Sequence, residues 1–175
     1  MIRFVGVDPG KDGAIVSFNA ECAVENMALM PTITQTKSGK RLYDVHELSG
    51  LVTRLSANPN GAPPPVWFIE KQQPLPSRMG GANANYSRGY GLAIFEGMLT
   101  AEQIPYYLIA PGRWQQTMLR DVIGDDTKAR AYIAAQRLFP KVDWRRSSIA
   151  KKPHDGLVDA ALIGIYGWRY VQGTT

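Results

Sequence analysis

A single cysteine, Cys22, stands in a chain of 175 residues, which excludes an internal disulfide framework and a thiolate zinc cage and fits a reducing, cytoplasmic setting. Long hydrophobic runs are missing too: no stretch approaches the roughly 18 apolar residues of a membrane helix. The first apolar run is only a strand long, unlike a signal peptide. There is no internal repeat and no Pro/Ser-rich linker, so residues 1–175 read as one domain. At that length a proper core fits, but two lobes clasping a nucleotide do not. Hence no nucleotide cofactor is expected, and an actin-like or sugar-kinase phosphotransferase is disfavoured.

What is present is basic charge around scattered acids. The net charge is +5. Its positive residues cluster at Lys37, Lys40 and Arg41, at Arg145 and Arg146, and at Lys151 and Lys152, as a polyanion-binding surface does, although such runs also serve as solvated loops.

Against this background one acid is out of place. Asp159 lies among Leu157, Val158, Ala160, Ala161, Leu162, Ile163 and Ile165, a helical run apolar on every face. A buried carboxylate must be protonated, paired or bound to a cation. Asp155, four residues earlier, shares its helix face about 6 Å away. The pair reads either as ligands of a hard divalent cation, or as a first-turn acid followed by a satisfied core aspartate. Two strand ends add to the set: 2–7 is an apolar β run leading into Asp8-Pro9-Gly10, and 66–70 is a buried-type strand ending in Glu70.

The remaining pattern predicts strands over 2–7, 14–19 and 23–29 as an antiparallel meander, and a small hairpin over 32–43 with Lys37-Ser38-Gly39-Lys40 at its tip. Asp44 reads as an N-cap with Glu47 in a capping box. A strand at 66–70, a flexible segment at 74–85, a helix over 86–101 and a strand over 104–109 follow. Further helices begin at Pro111, span 127–139, and start near His154. The fold class is mixed α/β, one five-stranded sheet flanked by helices.

Four segments carry a resemblance: Phe4-Val5-Gly6-Val7-Asp8-Pro9-Gly10, Phe68-Ile69-Glu70-Lys71, the stretch 104–119, and Lys152-Pro153-His154-Asp155-Gly156-Leu157-Val158-Asp159-Ala160. In this order they resemble the RuvC-type Holliday junction resolvases, particularly the phage relatives. The resemblance implies a ribonuclease H-like fold, a homodimer, and magnesium-dependent nicking of four-way DNA junctions, with manganese able to substitute. It makes Asp8, Glu70 and Asp159 catalytic metal ligands. Asp155 resembles the phage and mitochondrial pattern, whereas bacterial members carry their fourth ligand one residue later, where this chain has Gly156. His154 is a further candidate, about 140° around a regular helix from Asp159.

Two-metal hydrolysis explains the set, because two ions stabilise both the entering and the leaving oxygen of a phosphodiester. Asp8 is expected to bridge the two ions, with Glu70 on one, and Asp155 and Asp159 on the other. DNA contacts are expected from Lys71, Arg78 and Arg88, from a flexible loop at 79–85, and from Lys151 and Lys152 beside the scissile phosphate. The aromatic wedge of the family has no Phe here, leaving Tyr86 or Tyr90. Arg113 and Trp114 read as DNA contacts or helix packing, Lys128 and Arg130 as solvent-facing. Leu92, Ile94, Phe95 and Met98 form the expected dimer face. The alternative is a catalytically silent DNA-binding member of the fold.

Overall fold

Alternation along the first strand divides the interior into two cores. In β1 (Phe4–Asp8) the odd-numbered Val5 and Val7 point to one side of the sheet, and Phe4, Gly6 and Asp8 to the other. The computed structural model describes residues 2–57, 61–76 and 81–174. β2 (Ala14–Phe18) and β3 (Val24–Leu29) continue β1 as an antiparallel meander, while β6 (Val66–Glu70) and β7 (Tyr106–Ile109) add in parallel on its other side. The order is β3-β2-β1-β6-β7, the mixed five-stranded sheet expected from the sequence.

Between β3 and β6 the chain makes the small hairpin β4 (Thr32–Thr34) and β5 (Arg41–Tyr43), with Gly39 at a positive φ of 63° in its basic tip. Helix α1 (Val45–Ser56) starts at Asp44, whose carboxylate accepts from the Glu47 amide at 3.0 Å. Only that half of the expected capping box forms. The Glu47 carboxylate turns to Arg54 at 3.0 Å, and the Asp44 amide is already committed to the Pro31 carbonyl.

Helix α1 and α2 (Ala82–Ala101) cover the Val5/Val7 side, burying Leu48, Val52, Phe95 and Leu99 with Trp67 and Ile69. One expectation for α2 needs correcting. It starts at Ala82, because the Asn85 side chain accepts from the Leu75 amide at 2.7 Å and donates to the Leu75 carbonyl at 3.0 Å, so residues 82–85 are helical and not a free loop. Phe95 is fully buried in the molecule's own core, while Leu92, Ile94 and Met98 pack against the same cluster and keep part of their surface exposed.

The other side is covered by α3 (Pro111–Met118), α4 (Thr127–Leu138) and α5 (Asp155–Val171). Helix α5 is buried from Gly156 to Gly167 save for Asp159, and it lies against β1 at glycine contacts. A Cβ on Gly6 would stand 2.0 Å from the Ala160 carbonyl oxygen and 2.6 Å from the Gly164 nitrogen, so only glycine permits this helix–strand distance. That contact sets the height of Asp159 over the sheet.

Candidate active site

Parallel pairing brings the two strand-end acids together. Val7 lies opposite Ile69, so β1 and β6 finish at the same sheet edge, and Asp8 and Glu70 share the face that α5 covers. One turn into α5, Asp159 meets them from above. The turn after Asp8 is fixed by the Gly10 amide, which donates to Asp8 Oδ1 at 3.1 Å, and by the Gly13 amide bonding the Gly10 carbonyl. Glu70 is aimed by two donors: the indole Nε1 of fully buried Trp114 reaches Oε1 at 3.0 Å, and Gln72 Nε2 reaches Oε2 at 3.2 Å. Trp114 is thus a packed positioning residue, which resolves its two expected roles.

Electrostatically the cluster is under strain. Burial, then the Glu70 charge, pushes Asp8 up to about 6. Asp159 goes further, to about 8, through burial and then the charges of Asp8, Glu70 and Asp155. Asp155 itself is exposed and bonded to the Lys128 ammonium. Lys128 faces solvent as expected, but its ammonium is not free: Asp155 pushes its pKa up, and its charge is the one cation acting on Asp159 among the leading influences. Arg130 is likewise not a free surface group, since it bonds the carbonyls of Leu119 and Val122.

His154 is the N-cap of α5, with extended backbone at φ −94°, so the angular argument against it does not apply. Its charge acts on Asp8, and its buried Nδ1 finds no hydrogen-bond partner among the described residues. Among those residues no three acidic or histidine side chains already form a closed cation cage. The donor set nevertheless suits a divalent ion: hard carboxylate oxygens that repel one another, and an orphaned imidazole nitrogen at the rim. Magnesium sites of this kind are completed by waters and substrate phosphate, and imidazole favours the transition ions.

No model of a known protein family matches the sequence, and no curated protein matches it. Solved structures do. Thermus thermophilus RuvC in complex with a Holliday junction substrate superposes with a TM-score of 0.65 at 16% identity, covering 99% of this chain and 98% of that one. A second T. thermophilus RuvC structure gives 0.56 at 16% identity over 99% and 98%. The yeast mitochondrial Holliday junction resolvase Ydc2 gives 0.57 at 19% identity, over 99% of this chain and 80% of that one. The fold is that of the RuvC-type resolvases.

Within this RuvC-type fold, the position one residue after Asp155 has a steric explanation. A Cβ on Gly156 would lie 2.5 Å from the Asp12 carbonyl oxygen and 2.7 Å from Gly13 Cα, because the β1–β2 turn fills the space. No side chain fits there. Gly156→Ala is therefore expected to push the start of α5 off the turn, destabilising the protein by about 2 kcal/mol or more and misplacing Asp159 and His154. Thermal melting of the variant checks this; an unchanged midpoint would refute the close approach.

Of the expected DNA contacts, Arg88 is the one whose charge reaches Asp8; its Nε bonds the Gln73 carbonyl at 3.3 Å. Lys71 is exposed just past Glu70, and its amide bonds the Ile109 carbonyl. Lys151 and Lys152 are exposed before α5, and Lys151 borders a small groove with Asp143 and Arg145. Arg113 is exposed on α3. Arg78, Met79 and Gly80 lie outside the described residues. Tyr86 and Tyr90 are exposed on α2. Sequence reasoning missed Lys128 and the Trp114–Glu70 bond; the one available signal for Lys128 was its place in the first turn after the Asp126 cap.

Proposed function

We propose that this chain is a divalent-metal-dependent endonuclease that cuts four-way DNA junctions, acting as a two-fold dimer with one site per strand. The observation that carries the reading is the strained acid group, in which Asp159 is held beside Asp8 and Glu70 with no hydrogen-bond donor acting on it. Such a group is relieved by a cation supplied from outside, which would let all its members ionise together. The likeness to a junction-bound RuvC supports DNA as the substrate.

Magnesium bound there would acidify a water and stabilise charge on both oxygens of the broken phosphodiester. Asp8, Glu70, Asp155 and Asp159 would hold the ions, with His154 at the rim and manganese accepted as a substitute. Trp114 keeps Glu70 turned inward during the reaction. Lys128, released from Asp155 as phosphate enters, would neutralise charge developing on the scissile group. Arg88, Lys71, Lys151 and Lys152 would follow the backbone outward from the site.

The test is cleavage of a synthetic four-way junction in magnesium. Paired nicks in opposing strands, abolished by chelator and weak on linear duplex of the same sequence, are the expected result. Tight junction binding with no cleavage in magnesium or manganese would replace this reading with that of a silent DNA-binding protein. Sedimentation as a monomer at micromolar concentration, with and without junction, would remove the dimer.

A further inference from the structure

The main sheet ends at β7, and among the described residues no strand pairs with its outer edge. The Trp67 amide donates to the Pro105 carbonyl at 2.9 Å and the Lys71 amide to the Ile109 carbonyl at 2.8 Å, so the odd-numbered residues face β6. Tyr106 and Leu108 therefore turn their backbone N–H and C=O groups away from the sheet. Proteins commonly guard such an edge with a charge or a proline inside the strand. Tyr106-Tyr107-Leu108-Ile109 has neither, whereas β3 at the opposite end of the sheet carries Glu25.

On the α5 face of that edge lies a hollow of about 300 Å³, walled by β7 from Tyr107 onward, by Arg113 at the start of α3, and by Tyr166 and Tyr170 of α5. Tyr107 stacks on Phe68 at 5.8 Å, and Tyr166 on Tyr170 at 6.4 Å. Even so, Tyr107 and Tyr170 stay 45% and 53% exposed. A larger hollow of about 580 Å³ continues the first along α3, sharing Arg113 and both α5 tyrosines and reaching Arg120. Both arginines are exposed, and neither joins an ion pair among the described residues. No acid lines either hollow among those residues. The result is an unpaired strand edge beside an aromatic hollow with uncompensated positive charge at its rim.

We propose that β7 receives a sixth strand from another protein, an extended acidic segment whose backbone pairs with Tyr106 and Leu108. Successive side chains of an added strand alternate between the two faces of the sheet. Every second one therefore enters the α5 side, where a bulky apolar residue fills the smaller hollow and carboxylates meet Arg113 and Arg120. Charge and edge together select this occupant. DNA suits the arginines but not the edge, because its sugar-phosphate backbone offers only acceptors and leaves the outward carbonyls of Tyr106 and Leu108 unmet. A second copy pairing through its own β7 suits the edge but not the arginines, since residues 104–112 contain no acid. An acidic peptide satisfies both. The inference stands apart from the nuclease reading, because it uses no member of the acid group.

The probes are end-labelled heptapeptides of the form Asp-Asp-Val-X-Val-Asp-Asp, with X as Phe, Trp, Tyr or Leu, titrated against the full chain by fluorescence anisotropy. At least one should bind about tenfold more tightly than its counterpart with lysine in place of every aspartate. N-methylating one alternate set of its amides should abolish binding, and N-methylating the other set should not, because only one set faces β7. Arg113→Ala with Arg120→Ala should remove the preference for acids. Leu108→Pro withdraws an outward N–H and leaves the β6 ladder intact, so it should weaken the bound peptide. The peptide comparisons use the wild-type chain and stand whether or not that variant folds. Failure of all four peptides to outbind their lysine counterparts overturns the proposal, as does binding that ignores N-methylation. Oligothymidylate that binds, and is lost in the arginine pair while no peptide binds, assigns the groove to DNA and also overturns it.

Discussion

Asp8→Asn is expected to slow junction cleavage in magnesium by about a thousandfold or more while raising the melting temperature of the metal-free protein. The two effects have one cause. Asp8 sits between Glu70 and Asp159 and is held at about 6 by burial and by the Glu70 charge, so the ionised side chain opposes folding until a cation arrives. Asparagine keeps the shape and the acceptor for the Gly10 amide, removes the charge, and removes the proposed metal ligand. A shift of about two units corresponds to roughly 1–3 kcal/mol, or several degrees of melting temperature in a chain of this size. Most substitutions of buried residues do the opposite. Near wild-type cleavage, or a lower melting point in chelator, would refute the assignment of Asp8.

The second large effect is a fall in metal-free stability with rising pH. Asp159 has a folded-state pKa of about 8 against an ordinary aspartate value of 3.8, and Asp8 is also raised. Below about pH 4 both groups are protonated in the folded and unfolded chains and cost nothing. As pH rises, the unfolded chain gives up these protons while the folded one keeps them, so stability declines through about pH 4–8 and levels off above the folded values. The decline should amount to several kcal/mol. Asp159→Asn should remove most of the slope. Denaturant unfolding in chelator at pH 5, 6, 7 and 8 measures it, and parallel curves for the two proteins would sink the claim that Asp159 carries the strain.

Why some of this could be read from the sequence and some could not follows from range. Asp8 and Glu70 end runs whose composition already specifies buried strands, and Asp159 interrupts a helix apolar on all sides, so local pattern alone marks each as abnormal. The antiparallel meander and the five-strand count followed from strand spacing and the resemblance. The Lys128–Asp155 pair joins residues 27 apart on separate helices, and Trp114 reaches Glu70 across 44 positions; no periodicity encodes either. The start of α2 was hidden for a related reason. Asn83 and Asn85 favour loops by themselves, and the bonds from Asn85 to Leu75 help hold that turn helical. A dimer face on α2 is not legible from pattern alone, because Phe95 and its neighbours show the same greasy pattern whether they cover a partner or their own sheet.

The hydrogen bond from Trp114 to Glu70 gives the molecule a built-in optical sensor. An indole whose N–H points at a carboxylate emits according to the field that carboxylate makes, and a cation drawing Glu70 toward itself changes both the field and the bond. Of the four tryptophans, the other three, Trp67, Trp144 and Trp168, bond to none of the site carboxylates. If the proposed metal binding holds, filling of the site would be followed by emission from the wild-type chain, unlabelled and without turnover, with Trp114→Phe as the dark reference.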